Sequence, residues 1–405
     1  KLGSFILFNA RRTIRSLRRV VYILTATTFI IVIRLFKPLF LVCFGPVRSD
    51  VIGHFAANTE VFLSECDKGL RHGKRTQKLF YFQTRDVPNR QLMIMWERAL
   101  SITHLAAWLH AANDFLPGGR VHSITMPSRD RDVNNVLSES KPHLSFTPEE
   151  EERGRQSLRE MGIGENDRFV CFLARDSVYK REVQPRPSPS GWAYHDYRDS
   201  HIKNYVDAIE VITKDDYYAI RLGAAVNEGL EFDNPRIIDY ATNGMRSEFL
   251  DIYLSANCEF YIGDSCGIAQ VTEVFRRPVA LANYVPLEYA RTWNPQDIFI
   301  PKKHWLKREK RFMTFKEIFE SGAGRFLRTE QYEEMGIELI ENSPHEISAV
   351  ALEMRGRVAG TWENIEEEEE LQERFWTIFP RSELHGKRRS RIGTAFLAEH
   401  PELLI

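Results

Sequence analysis

The sequence predicts an α/β protein of two domains, the second a parallel, doubly wound sheet, preceded by a basic and apolar segment that associates with a membrane. Three observations carry this. At 405 residues the chain is too long for one ordinary core and suits two domains of ~150 to 200 residues each. Short apolar runs alternate with helix-period runs through its middle, the pattern of parallel strands joined by helices. Finally, Gly263-Asp264-Ser265-Cys266-Gly267 links the apolar run Phe260-Tyr261-Ile262 to a helix-like run from Ile268 to Phe275. A strand, a small-residue turn and a helix in that order present free backbone N–H groups and a positive dipole end, which suits an anion such as a diphosphate.

Bulk composition narrows the classes. An apolar content of 43% with 12% aromatic residues excludes a disordered chain. The net charge of −1 gives no global basic field, so no nucleic-acid partner is expected. Cys43, Cys66, Cys171, Cys258 and Cys266 are scattered, odd in number and without a CxxC pair. That fits a reducing compartment with neither a disulfide framework nor a structural zinc. Cys266 reads as a small turn residue, with a catalytic thiol as the alternative.

Residues 1–46 form the first segment. Arg11, Arg12, Arg15, Arg18 and Arg19 precede the apolar stretch Val20 to Ile33, and Arg34, Lys37 and Pro38 interrupt it before Phe44. Fourteen uninterrupted apolar residues fall short of the ~20 that span a bilayer. The expectation is therefore a peripheral or monotopic anchor on the cytoplasmic face of a membrane, its arginines on anionic headgroups of the inner leaflet. A helix packed on the protein's own core is the alternative.

Residues 47–160 read as an N-terminal α/β domain. Arg48 to Phe55 suggests strand, glycine turn and helix. Leu79-Phe80-Tyr81-Phe82 reads as a buried strand, and Gln91 to Ala112 as a long helical region whose Met93, Trp96, Leu100, Leu105 and Trp108 face a core. Thr147-Pro148-Glu149-Glu150 gives a Thr N-cap with Pro at the first helical position, and Gly162 ends that helix. Residues 161–330 carry the clearest alternation. Strands are expected at Phe169 to Ala174, Tyr218 to Gly223, Arg236 to Tyr240, Phe260 to Ile262 and Val279 to Leu281, with helices near Ile202 to Thr213, Ser247 to Ser255 and Gly267 to Phe275. Residues 331–405 read as a helical region that crosses back to the first domain. The five acids Glu366 to Glu370 are a solvated helix face.

Ligands of doubly wound sheets collect at the carboxyl ends of the strands. There the chain places Arg175 and Lys180 after one strand, Arg221 and Gly223 after the next, and Asp264, Ser265 and Gly267 after a third, with Glu273 two helical turns further on. Forked Arg donors and a Lys point charge hold diphosphates. Tyr197 and Arg198, in a Pro- and Ser-rich loop closed by Ser200 as a helix N-cap, are placed to stack on or hydrogen-bond a base or sugar. Asp130-Arg131-Asp132 is a DxD string in a charged stretch and is read as surface, so no metal is expected.

The strings IGHFAANTE, FVCFLARDSVYK, YRDSHIKNYVDAIEVI, AIRLG, IIDYA, FLDIYLSANCEFYIGDSCGIAQVTEVFRRPVALAN and RIGTAFLAEHPELL resemble a family of bacterial GT-B glycosyltransferases linked to surface-polysaccharide and lipopolysaccharide biosynthesis. They keep their order over residues 52–404. The DSCG turn is also similar to the DTG or DSG turn of heptosyltransferases, with Cys266 as an extra residue. The resemblance implies a GT-B-like fold of two Rossmann-like, doubly wound domains facing a cleft, and a metal-independent enzyme without cofactor that binds a nucleotide sugar through Arg175, Lys180, Ser265 and Gly267 at the phosphates and Glu273 at ribose hydroxyls. It implies a glycan or lipid-linked acceptor, whose hydroxyl a base on the N-terminal side deprotonates. His54 and Glu60 are the candidates. A nucleotide-sugar 2-epimerase, a polysaccharide pyruvyltransferase and a non-catalytic glycan-binding scaffold stand as alternatives.

Overall fold

The computed structural model describes residues 25–405 except 72, 74, 85, 127–129 and 184–190. The arginine collar at 11–19 and most of the Pro- and Ser-rich loop before Tyr194 lie outside the described residues. The chain falls into two compact units that part between Asp130 and Arg131.

In the first unit, β1 (Leu41–Val47) pairs in parallel with β2 (Thr76–Phe82), with Leu41 opposite Thr76 and Val47 opposite Phe82. Single bridges from Phe44 to Ser123 and from Phe80 to Ile102 extend the sheet at both edges. This sheet is smaller than the Rossmann-like one expected. β1 also takes up residues 41–46, which the sequence reading gave to the membrane-associating segment. Its side chains are buried on both faces, as a strand packed between helices requires. The Ile52–Asp67 helix starts directly after β1, so Gly53 and His54 lie in its first turn and no glycine turn precedes it. Its Phe55 and Phe62 meet Phe82 and Phe80 edge-on, with ring centroids 5.7 and 6.0 Å apart. The single long helix expected across 91–112 is two, Arg90–Ala99 and His104–Asp114, each started by its own side-chain cap, Asn89 and Thr103. Residues 25–35 are helical and bury Ala26 and Ile30 against Val42, Phe44, Ala106 and Ala112.

The second unit is built on seven strands: β3 (Arg168–Leu173), β4 (Tyr217–Arg221), β5 (Ile237–Ile238), β6 (Tyr261–Gly263), β7 (Val279–Tyr284), β8 (Ile298–Pro301) and β12 (Arg391–Ile392). They run parallel in the order β12-β8-β7-β6-β3-β4-β5. Near-continuous burial along β3, β7 and β8 is what a parallel sheet covered on both faces demands. Counted from β3 as first strand, the order is the doubly wound 3-2-1-4-5-6 arrangement with one strand added at the edge. A second, antiparallel sheet of β9 (Lys303–Leu306), β10 (Arg311–Phe312) and β11 (Ile337–Ile340), in the order β10-β9-β11, occupies a region the sequence reading took as helical and charged.

Residues 131–160 belong to this unit as well, where the sequence reading ended the first domain at 160. Phe146 packs its ring on Phe249, Tyr253 and Phe275, at centroid distances of 6.2, 5.2 and 5.8 Å. The Pro148–Glu160 helix, started by a full Thr147/Glu150 capping box, lies so close to Tyr253 that a Cβ on Gly154 would stand 2.1 Å from the ring. The C-terminal residues also stay here. The Pro344–Ala359 helix packs on Val206–Thr213. β12 is held by the Gln372 side chain, which donates to the Ile392 carbonyl at 2.7 Å and accepts from its N–H at 3.2 Å.

Candidate functional site

The sheet of the second unit reverses its winding between β3 and β6, which are direct neighbours. Such a switch point opens a crevice at the carboxyl ends of the strands. Two chain segments leave the sheet there, 174–178 after β3 and 263–267 after β6. Gly263 is required by close approach: a Cβ would sit 2.2 Å from the Leu173 carbonyl oxygen on β3. The chain then turns through Asp264 to Cys266 and enters the Gly267–Val274 helix, whose N-cap residue Cys266 makes no side-chain cap hydrogen bond. The first-turn N–H groups and the positive end of the helix dipole are thus left for another acceptor.

Asp264 ties the two segments together. Its carboxylate is 2% exposed and accepts from the Arg175 N–H at 2.5 Å, the Ser200 hydroxyl at 2.7 Å and the Tyr205 hydroxyl at 3.3 Å. Burial is the main influence on it and raises its pKa to about 6, against the opposing pull of these hydrogen bonds and of Lys302 and Arg175. Asp264 therefore shapes the turn and does not project from it.

Two arginines stand at this turn, Arg198 through its side chain and Arg175 through its backbone N–H. Arg198 donates to the Ser265 carbonyl at 2.5 Å, which anchors its side chain at the mouth of the helix. Arg175 pairs with Asp199 and donates to the His195 carbonyl at 3.3 Å. Burial lowers the Arg175 pKa first, and repulsion from Arg198 lowers it further. Asp199, mostly buried, is raised to about 6, again chiefly by burial. Lys302, 4% exposed at the end of β8, donates to the Asp199 carbonyl at 2.5 Å. Burial holds its pKa down, while Glu341, Asp264 and Asp199 pull it up.

Beside the turn, a cavity of about 760 Å³ opens at the carboxyl ends of β3, β4 and β8, a size suited to a nucleotide-sized ligand. Asp176, Asp199, Arg221, Lys302, Tyr332 and Glu341 are among its walls. The Tyr197 and Tyr332 rings, 5.5 Å apart, give it an apolar side.

The structure thus brings together Arg175, Tyr197, Arg198, Asp264, Ser265 and Gly267. It places other nominated residues differently. Arg221 is 2% exposed and holds Asp239 at 3.0 Å and the Glu228 carbonyl at 2.8 Å, so its charge is committed to the β4–β5 connection. Gly223 follows it, and a Cβ there would stand 2.5 Å from Val226; tight packing explains the residue. Glu273 is buried in an ion pair with Arg291 and does not face a ribose. Lys180 lies over the Trp192 ring at 4.3 Å. Ser200 caps no helix: its hydroxyl goes to Asp264, and the helix that follows begins at Val206 after a 3-10 turn.

In the first unit, His54 is partly exposed, with Nδ1 3.7 Å from Asp130 Oδ1. Glu60, on the same helix, is fully buried. The DxD string is not surface. Arg131 is 8% exposed and donates to the carbonyls of Leu384, Tyr289 and Ala290 at 2.5 to 2.8 Å. Asp132 accepts the N–H groups of Val136 and Leu137, each at 2.8 Å. Among the described residues, no group of three or more His, Cys, Asp or Glu is placed to hold a metal, and no helix is long and apolar enough to cross a membrane.

Sequence reasoning missed Lys302 and Asp199. The signal for Lys302 was present: Ile298-Phe299-Ile300-Pro301 is an apolar run ended by proline, and the next residue falls at a strand end. Asp199 differs from the exposed acids around it only through the fold.

No protein-family model matches the chain, and no curated protein matches it. Among solved structures, it is similar to a glycosyl transferase family 9 protein from Veillonella parvula, at 10% identity over 59% of this chain and 80% of that one, with a TM-score of 0.38. It is similar to ADP-heptose lps heptosyltransferase II of E. coli, at 10% identity over 60% and 84%, TM-score 0.30. A UDP-GlcNAc 2-epimerase from Neisseria meningitidis matches at 12% identity over 80% of this chain and all of that one, TM-score 0.29. At such scores, any assignment of a reaction has to come from this chain's own residues.

Proposed function

We propose that the protein is a glycosyltransferase of the GT-B type, which moves a sugar from a nucleotide-sugar donor to a bacterial surface-glycan or lipid-linked acceptor without a metal, at the inner face of the membrane. One observation carries the reading: the Arg198 side chain binds the Ser265 carbonyl just before the Gly267–Val274 helix, whose N-cap makes no side-chain hydrogen bond, and Arg175 joins the same turn through its backbone N–H, at the switch point of a doubly wound sheet. Burial and the nearby Arg198 charge both disfavour the charged form of Arg175, so a polyanion that enters beside the two side chains is attracted there. The ordered sequence strings over 52–404 supply the reaction class.

In this reading the donor diphosphate lies on the helix N-terminus, between the two arginines. The adjoining cavity, with more acids than bases in its walls, repels phosphate and accepts hydrogen bonds from base N–H and ribose hydroxyl groups, with Tyr197 and Tyr332 as the apolar wall. Transfer forms a bond from the acceptor oxygen to the anomeric carbon and breaks the bond to the diphosphate oxygen. The developing negative charge is stabilised by preorganised donors already in place. The acceptor proton goes to a base, for which His54 is the candidate.

The test is a thermal-shift screen of the full chain against UDP, GDP, ADP, CMP and CDP, since a ligand that binds only the folded state raises its apparent stability. A shift with one nucleotide, lost in both Arg175→Ala and Arg198→Ala, is expected. No shift with any nucleotide would remove the donor site. The matching nucleotide sugar is then incubated with the enzyme alone: epimerised donor in the absence of acceptor would assign the chain to the 2-epimerase class instead.

A further inference from the structure

We propose that the face formed by residues 29–40 is a monotopic docking surface for an anionic lipid bilayer. This names the surface that serves the membrane placement proposed above; it rests on that placement and is independent of the donor chemistry.

The helix over 25–35 carries large apolar side chains on more than one side, and only part of it is covered. Ala26 and Ile30, one turn apart, are buried against β1 and the His104–Asp114 helix. The uncovered side and the residues after it present Phe29 at 61% exposure, Leu35 at 73%, Phe36 at 47%, Leu39 at 68% and Phe40 at 44%. A helix that is apolar beyond its packed stripe belongs in a core or in lipid, and a contiguous patch of large side chains marks an interaction surface. The Phe36 and Phe40 rings stack at 6.0 Å, so the patch continues past the helix end. Arg34 fixes its position: it donates to the Asn113 carbonyl at 3.1 Å and to the Pro117 carbonyl at 2.7 Å. Those two residues bracket Phe115, which is 74% exposed and enlarges the patch.

Charge selects the occupant. The chain has nine Lys and Arg residues before Asp50 and no Asp or Glu among them, although the protein as a whole carries a net charge of −1. Lys37 is exposed within the patch. A sequence rich in cations and free of acids that leads into a patch of aromatic and leucine side chains has the composition that suits a headgroup layer over acyl chains. Among the described residues the helical stretch rises about 16 Å, against a hydrocarbon core of about 30 Å, and this length suits a helix lying in one leaflet.

Flotation of the full chain with vesicles tests this. Wild type is expected to float with phosphatidylcholine–phosphatidylglycerol vesicles, less with phosphatidylcholine alone, and less again in high salt. Leu35→Glu/Leu39→Glu is expected to lower the partition coefficient at least tenfold, while Ile405→Glu, a change at an equally exposed apolar residue in the second unit, leaves it unaltered. Both leucines are exposed, so the fold survives; an unchanged nucleotide shift and circular dichroism spectrum verify this. Wild type failing to float with either vesicle would overturn the proposal. So would a double variant that floats like wild type, which would transfer the anchor to residues 1–24, or a wild-type dimer that the double variant dissociates while neither floats. A retained nucleotide shift in any of these outcomes leaves the donor reading standing.

Discussion

Replacing Asp264 by Asn should invert its effect on stability between acid and neutral pH. The carboxylate is 2% exposed and titrates at about 6 in the fold against an ordinary 3.8, mainly because burial penalises its charged form. A folded-state pKa raised above the unfolded value means that the native protein holds a proton, between about pH 4 and pH 6, that the unfolded chain has released. The contribution of this group is therefore greatest below pH 4, declines as pH rises through 6, and is flat above. Two units at 1.36 kcal/mol each give a penalty of roughly 3 kcal/mol at pH 8. The Asp264→Asn variant escapes it, because the amide is never charged. The amide oxygen can still accept from the Arg175 N–H and the Ser200 hydroxyl, which share Oδ2 in the native site. The Tyr205 hydroxyl loses its acceptor on Oδ1, at a cost of about 1 kcal/mol at every pH. The variant should accordingly be about 1 kcal/mol less stable than wild type near pH 4 and about 2 kcal/mol more stable at pH 8. Urea unfolding of both proteins at half-unit pH intervals measures the difference. Parallel curves across pH 4 to 7 would refute the reasoning, and a variant losing ground as pH rises would mean that the arginines, not burial, govern this carboxylate.

Four further expectations concern the second unit. His304 is fully buried and burial lowers its pKa to about 4; it stays neutral while the unfolded chain protonates. Its contribution is lost as pH falls from 6.5 to 4, so His304→Gln should narrow the stability gap between pH 7 and pH 4.5 by about 2 to 3 kcal/mol in urea titrations. Arg131→Ala should cost about 3 to 5 kcal/mol, because three carbonyl acceptors and the Trp293 face, 5.1 Å from the guanidinium carbon, lose a buried partner. Magnesium or manganese should leave the melting temperature of wild type unchanged if Asp132 serves only as a cap. Gly154→Val places a side chain inside the Tyr253 ring and should cost at least about 1 to 3 kcal/mol by overpacking; a neutral result would detach the Pro148–Glu160 helix from this unit.

The features legible in the chain are local and periodic. Uninterrupted apolar runs marked β3, β4, β6 and β7; Thr147-Pro148 and Gly162 marked both ends of one helix; and the glycine-bounded Asp264–Gly267 turn located the switch point, because strand pattern, cap chemistry and turn chemistry act over a few residues. Only the assembled fold sorted buried polar groups from accessible ones. Arg198 and Arg221 look alike in the chain, yet one reaches the Ser265 carbonyl at the helix mouth and the other is consumed by Asp239. Asp132, read as surface, is buried, and Asp199 and Lys302 gain their meaning only when strands distant in sequence set their ends side by side. Desolvation and ion pairing depend on every neighbour in space, and those neighbours are named by the strand order β12-β8-β7-β6-β3-β4-β5, which no local pattern specifies.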